Sequence, residues 1–414
     1  MIKETKLRNI TTDVLICGGG ISGLLAAKAL LSLGLSVVCI EKRTGGIKEK
    51  KLGSDGRSTA ILDPTVSFLK SLGIWETLLK KAQPLESLVI CNLSKDKGNI
   101  DETCEFPAAD LNLKTLGFNV PNDFLISELR KDLSNHSKFI YFDNVVIEQL
   151  VSRTNEVIVL TNQKQKISSK LLVGADGRES SVREFANIEK HSFDYGQQAL
   201  VFSIKHELQH KAKSYEIYEK GGPCTLVPNK TTKDNGYYSS VVLVDRPNEI
   251  DTASNLDRKS FSSYMNRRTG MILGECLVQT EVKKFPIISQ ISKKFTGDRV
   301  ILLAESAHIM PPIGAQGLNS SIRDIEILTE LIATRKVGNK DFGNNKFLLN
   351  FEKARAFQIR SRMIGVHMLN KVSMYSSRPI IEARKLGLRT LDKNPTLRNF
   401  AMKLGMYEKT SFHL

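Results

Sequence analysis

The 414-residue sequence contains no apolar run long enough to span a bilayer. Val14 to Cys17, Leu24 to Ala27 and Val300 to Ala304 each break on Gly, Lys or Glu well short of the ~20 residues required. The first residues, Met1 to Arg8, lack the apolar core of a secretion signal, so the cytoplasm is the expected compartment. Cysteine chemistry is equally sparse. Six cysteines at positions 17, 39, 91, 104, 224 and 276 form no CxxC pair and no His/Cys cluster at metal spacing, which argues for reduced, buried thiols and against a metal site. No Ser/His/Asp or Cys/His arrangement points to a side-chain nucleophile. Repeats and low-complexity tracts are absent, and 41% apolar with 25% charged residues excludes disordered and collagen-like chains. Acid is in short supply: 44 Asp and Glu face 60 Lys and Arg, a formal charge of +16. The excess implies an anionic partner. Nucleic acid is disfavoured, because no basic stripe with interleaved aromatics and no zinc finger is present.

A βαβ unit is written near the start. The apolar run Asp13-Val-Leu-Ile-Cys17 stops at Gly18-Gly-Gly20-Ile21-Ser22-Gly23, and a helix-forming stretch follows to Leu31. Gly34 fits a helix C-cap, and Ser36 to Ile40 reads as a second buried strand ending on Glu41. In this register Gly18 serves the tight turn, Gly20 lets backbone approach a pyrophosphate, and Gly23 packs helix against strand. The free N–H groups at Ile21 and Ser22 face the anion, while Glu41 is placed to accept hydrogen bonds from ribose hydroxyls. Asp55-Gly-Arg57-Ser-Thr-Ala leads into a capped helix from Asp63, with Arg57 meeting either phosphate or solvent. Leu125 to Leu133 is amphipathic, and Phe139 to Thr161 alternates like a hairpin with its turn near Asn155. Leu171 to Gly174 is a strand entering the polar turn Ala175-Asp176-Gly177-Arg178. Between His191 and Val282, strand-like segments at 199–204, 215–218, 225–227 and 237–244 predict an antiparallel sheet. A strand at Val300 to Ala304 then leads through Glu305 and His308 to a Pro/Gly loop and a helix running to about Ala333.

These segments, in this order, resemble the flavin-dependent aromatic hydroxylases, the single-component FAD monooxygenases, and within them the ubiquinone-biosynthesis hydroxylase group. The resemblance rests on the Gly18/Gly20/Gly23/Glu41 fingerprint, on Gly174-Ala-Asp176-Gly177-Arg178 through Arg183, and on Gly297-Asp298 through His308 with Pro311, Pro312, Gly314, Gln316, Gly317, Asn319 and Asp324. It implies an α/β fold with a Rossmann-like FAD-binding domain, an inserted antiparallel sheet domain for substrate, and a helical C-terminal region. The expected boundaries are 1–75, 100–188 and 283–350 for the discontinuous FAD domain, 76–99 and 189–282 for the sheet domain, and 351–414 for the helical region. The cofactor-binding set so implied is Gly18, Gly20, Ile21, Ser22, Gly23, Glu41, Lys42, Arg57, Asp176, Gly177, Glu305, Gly317, Leu318 and Asn319. Pro311, Pro312, Gly314, Gln316 and Gly317 would form the flavin-facing loop. The family's usual Gly-Asp is replaced here by Ala304-Glu305: Glu305 keeps an acceptor for a ribityl hydroxyl, and Ala304 adds a Cβ where backbone normally packs close to the cofactor. His308 is expected to be structural. Asp176 is expected to contact FAD and, transiently, NAD(P)H, and also fits a helix N-cap.

The resemblance further implies hydroxylation of an aromatic ring, a polyprenylated phenol, by NAD(P)H and O2 through chemistry at the flavin C4a position, with no catalytic side chain. A related oxidoreductase such as a prenyl-chain reductase, or a membrane-peripheral or complex-forming flavoprotein with weak or lost catalysis, are the alternatives. A single dinucleotide fingerprint fits transient reductant binding. The last 64 residues carry 13 basic and 4 acidic residues, so +9 of the +16 sits there. This tail is read either as a surface docking on anionic lipid, at the inner face of the cytoplasmic membrane, or on a ubiquinone-biosynthesis complex, or as a solvated helical cap.

Overall fold

The computed structural model describes residues 8–45, 56–94, 100–219, 221–231, 236–337, 341–374 and 378–406; Asp55 of the 55–60 segment lies outside them. Strand β1 (Arg8–Cys17) is central because Val14, Leu15 and Ile16 are fully buried, as a parallel strand covered on both faces requires. It pairs in parallel with β2 (Val37–Ile40) and β11 (Gln165–Gly174). Beyond them β8 (Phe139–Phe142) lies next to β2, and β19 (Val300–Leu302) next to β11. The tiny β18 (Thr296–Gly297) closes one edge, giving the order β18-β19-β11-β1-β2-β8. Strands β9 (Ile147–Ser152) and β10 (Val157–Thr161) form the hairpin expected around Asn155, and β10 continues antiparallel onto β11. Phe139 to Phe142, expected in that hairpin, belongs to the parallel edge instead.

Helix α1 (Ile21–Ser32) is buried on most of its surface and packs with α4 (Asn122–Leu133) and α8 (Gln316–Val337). Between them lie α2 (Asp63–Ser71), α3 (Trp75–Leu79) and a small sheet of β3 (Ser58–Leu62), β7 (Gly117–Pro121) and β4 (Gln83–Leu85). The Asn119 amide of β7 donates to Pro228 O at 2.8 Å and Asn229 Oδ1 at 2.9 Å, joining this small sheet to the large antiparallel one.

That large sheet runs β20 (His308–Ile309), β17 (Lys283–Ser292), β12 (Lys190–His206), β15 (Tyr237–Asp245), β14 (Gly222–Asn229), β13 (Lys213–Glu219), β5 (Ser87–Leu93) and β6 (Ile100–Pro107), with β16 (Cys276–Val278) also on β12. Three expected boundaries therefore move. Residues 100–107 pair with β5 from Ser87↔Pro107 onward, and 283–292 pair with β12, so both segments belong to the antiparallel sheet and not to the nucleotide-binding unit. Conversely, β4 and α3 lie outside the large sheet although residues 76–99 were expected to join it. One face of this sheet buries Phe202, Leu226, Leu243 and neighbours against α6 (Pro247–Ser254) and α7 (Arg258–Thr269). The short α5 (Ser181–Phe185) follows β11, and α9 (Asn345–Met374), α10 (Arg378–Lys393) and α11 (Pro395–Gly405) make the C-terminal region helical, as expected. All six cysteines are buried and unpaired.

One buried charge fastens three of these segments. Asp324 of α8 is 2% exposed and accepts from Arg355 Nε of α9 at 2.7 Å, from His308 Nε2 at 2.8 Å and from the Ala304 N–H at 3.1 Å. Burial alone would raise its pKa, but His308 and Arg355 outweigh that effect and hold the carboxyl below the usual range. Replacing Arg355 by Met leaves a buried carboxylate short of its strongest donor and should cost about 3–5 kcal/mol in urea unfolding. With a depressed native pKa, Asp324 contributes its full share above the unfolded carboxylate pKa of about 3.9 and loses it as pH falls further. The unfolding free energy of the parent chain is therefore expected to drop more steeply below about pH 4 than that of Arg355→Met.

Candidate functional site

The parallel sheet gathers the motif residues at one edge. The carboxyl ends of β1, β2, β11 and β19 are neighbours, so Gly18, Glu41, Ala175-Asp176 and the turn Ala304–Ser306 emerge side by side despite lying far apart in sequence. This is the edge at which open α/β sheets bind ligands. Gly18 adopts φ +114°, and a Cβ there would fall 2.2 Å from Ala175 O. Gly23 has its would-be Cβ 1.8 Å from Gly18 O, so α1 approaches the turn more closely than any other residue allows. Gly20, in contrast, is exposed and faces open space. It is the N-cap of α1, no side chain caps that helix end, and no acid occupies its first turn. Ile21 and Ser22 begin the helix there, so an uncompensated positive end opens onto the sheet edge. A pyrophosphate fits such a cradle.

Glu41 closes the far side. Its Oε2 accepts from the Gly19 N–H at 2.6 Å and its Oε1 from the Arg43 N–H at 2.9 Å, which fixes the carboxylate against the glycine turn. Lys42 beside it is exposed. Arg57 is exposed too, with its guanidinium 5.8 Å from the Phe285 ring centroid on β17, at the boundary of the two sheets.

Asp176 joins two of the motifs. Its Oδ1 accepts from Ser180 Oγ at 2.5 Å and from Ser306 Oγ at 3.0 Å, and its Oδ2 accepts from Ser181 Oγ at 3.0 Å and the Val182 N–H at 3.2 Å. The Gly177 N–H donates to Ser306 Oγ at 3.2 Å. The N-cap of α5 is Ser180, whose Oγ accepts from the Arg183 N–H, so Asp176 supports that cap from behind and does not occupy it. Arg183, 1% exposed, donates to Ser306 O at 3.1 Å and Arg178 O at 3.0 Å and staples the same two turns. Ser306 and the inward orientation of Arg183 escape sequence reasoning, because a serine and an arginine in polar turns read as solvent-facing. The six-residue interval from Asp176 to Val182 was the available signal.

Glu305 is exposed next to this junction, so its carboxylate is presented outward. Ala304 takes the left-handed conformation at φ +55°, which costs an L-residue about 1–2 kcal/mol. Its methyl is 5% exposed and sits in the main core, so the added Cβ expected to crowd a cofactor is turned inward. His308 is 3% exposed and committed to Asp324, as a structural histidine should be.

The loop before α8 divides into two kinds of residue. Pro312, Gly314 and Gly317 are exposed and Leu318 is half-buried, so the first N–H groups of α8 are accessible. Pro311 is buried, and so is Gln316, whose amide donates to Gly314 O at 2.8 Å and Gly405 O at 3.0 Å while its oxygen accepts from Arg362. Its side chain is thus spent on the C-terminal helices and does not face the loop's open side. Asn319 is fully buried, with its oxygen accepting from the Leu62 N–H and Thr65 Oγ1, both at 2.9 Å, and its nitrogen donating to Ala60 O and Ala315 O. The expected cofactor residue Asn319 therefore ties α8 to β3 and α2 with every amide group engaged.

Comparison with known proteins agrees with this geometry. The family model described as FAD binding domain matches residues 11–356. A ubiquinone hydroxylase of Rhodospirillum rubrum is 28% identical over 397 residues, 95% of this chain and 89% of that protein. The 3-demethoxyubiquinol 3-hydroxylase of Escherichia coli is 24% identical, covering 97% of this chain and 100% of its own length. Among solved structures, a p-nitrophenol 4-monooxygenase of Pseudomonas putida superposes with TM-score 0.76 at 17% identity over 96% of this chain and 97% of its own, a likeness of fold. With the family model spanning most of the sequence and these relatives covering nearly all of it, the chain belongs to the FAD binding domain family and is an FAD-dependent monooxygenase.

Proposed function

We propose that this enzyme uses NAD(P)H and O2 to hydroxylate the aromatic ring of a polyprenylated phenol in ubiquinone biosynthesis. The observation that carries the reading is the convergence of Gly20, Glu41, Asp176 and Glu305 on one sheet edge, joined by the Asp176–Ser306 hydrogen bond. The hydroxylase relatives, which match over most of their length, support the ring chemistry and the pathway.

When bound, FAD supplies the redox and oxygen-activating chemistry; the protein supplies position and a dry site. The open N-terminus of α1 holds the pyrophosphate, Glu41 the adenosine ribose, and Glu305 a ribityl hydroxyl. Lys42 and Arg57 lie at the margins of the cofactor site, where their charges favour phosphate. Asp176 and Gly177, fixed by Ser306 and Arg183, form the floor against which the reductant docks transiently. The exposed N–H groups at Gly317 and Leu318 begin a 22-residue helix and favour negative charge on the flavin ring. The phenol lies between this loop and the large sheet, in a site from which water is excluded.

Purified protein is expected to carry FAD and to oxidise NADH or NADPH with O2 uptake that a prenylated phenol stimulates and that matches hydroxylated product. Preparations without flavin, or anaerobic reduction of a prenyl alkene in place of ring hydroxylation, would overturn the reading. Glu305→Gln should weaken FAD about tenfold or more, the loss of one charge-assisted hydrogen bond, while leaving the melting temperature of the apoprotein unchanged. Glu305→Asp should largely restore affinity in a flavin-fluorescence titration. Equal affinity in all three forms would remove Glu305 from the site.

A further inference from the structure

Helix α9 has two unlike sides. One is buried: Phe347, Phe351 and Ile359 enter the nucleotide-binding core, while Asn370 donates to Gln197 Oε1 at 3.0 Å and His367 Nδ1 lies 2.7 Å from Tyr195 Oη, seating the helix on β12 of the large sheet. The other side exposes Phe357 at 79%, Ile364 at 58%, Met368 at 61% and Val372 at 48%. Intervals of seven, four and four residues keep these four on one helical stripe about 22 Å long. A run of large apolar side chains held in water marks an interaction surface. Lys353, Arg360 and Lys371 are exposed within roughly 60° of the stripe at 100° per residue. The sole acid of α9, Glu352, is turned inward and accepts from the Phe295 N–H at 2.6 Å and Thr296 Oγ1 at 3.4 Å. The chemistry is therefore apolar and cationic with no exposed anion on the helix.

Charge decides what covers it. A second copy of this chain would bring one +9 C-terminal region against another, which like-charge repulsion opposes. A bilayer bearing anionic headgroups satisfies both halves: acyl chains receive the stripe and phosphates receive the lysines and arginine. We propose that α9 is the membrane-docking surface of this enzyme, lying in the plane of an anionic bilayer with Phe357, Ile364, Met368 and Val372 in its interfacial layer. No helix among the described residues is long and apolar enough to cross a membrane, so contact is made from one side. Because the helix rests directly on the large sheet, docking brings that sheet to the lipid surface. The inference stands on α9 alone and does not require the substrate proposed above.

The test uses the full-length flavin-loaded protein with vesicles of phosphatidylcholine alone or mixed with phosphatidylglycerol. The parent chain should co-sediment with the mixed vesicles, weakly with neutral ones, and less as salt rises. Combining Lys353→Gln, Arg360→Gln and Lys371→Gln should lower affinity for mixed vesicles about a hundredfold and flatten the salt dependence. Combining Phe357→Ser, Ile364→Ser and Met368→Ser should abolish co-sedimentation. Both variants change exposed side chains, so flavin content and turnover of a water-soluble phenol should match the parent; those two readouts report on the proposed reaction separately from docking. If the apolar variant does not fold, the basic variant carries the test. Vesicle binding unchanged in the variants, a parent chain that ignores anionic vesicles, or a parent dimer that the apolar variant dissolves would each overturn the proposal, the last in favour of a second copy.

Discussion

A carboxylate buried at Asp324 must be paid for by donors, and this chain recruits them from three separate segments. Arg355 comes from α9, His308 from the strand β20, and the Ala304 N–H from the turn after β19. None of these elements can drift without leaving the charge unsolvated, so one electrostatic requirement fixes how α8, α9 and the turn after β19 meet. It also accounts for Ala304 holding a left-handed backbone in place of glycine: the hydrogen bond to Asp324 offsets the local strain.

The same economy governs the sheet edge. Parallel pairing of β1, β2, β11 and β19 delivers four loops to one line, and Asp176, Ser306 and Arg183 then lock two of those loops together by side-chain hydrogen bonds. Two features are left open there: a helix end with no capping side chain, whose partial positive charge suits an anion, and an outward carboxylate at Glu305, which suits a hydroxyl donor. Asp176, Ser306, Arg183 and Asn319 beside it already have their partners within the protein.

Local patterns were legible in the sequence and long-range partnerships were not. The first βαβ unit could be read because glycine spacing, apolar runs and the strand-end acid all lie within about thirty residues. The strand character of residues 199–204 and 237–244 was equally plain. Membership of 100–107 and 283–292 in the large sheet was hidden, since which strand pairs with which depends on distant backbone and leaves no periodicity of its own. For Gln316 and Asn319 the family pattern pointed to the loop before α8, but their side chains turn to α11, β3 and α2, contacts set by packing between segments as far as 259 residues apart. The basic tail was visible as a count of charges; its division into a buried side and an exposed apolar stripe needed the helix orientation.

Six buried cysteines complete the picture. Burial pushes the Cys104 and Cys276 thiols up to about 11 and those of Cys91 and Cys224 up to about 12, with Cys39 higher still and Cys17 raised well above the ordinary thiol value. At neutral pH the thiolate share of even the most acidic of them is about one in ten thousand, and thiolate is the form that hydrogen peroxide attacks. A monooxygenase sheds peroxide whenever oxygen reacts without reaching its substrate. Here that leaked oxidant meets no exposed thiol, so the sulfurs within its reach are thioethers such as Met271 and Met368, half or more exposed.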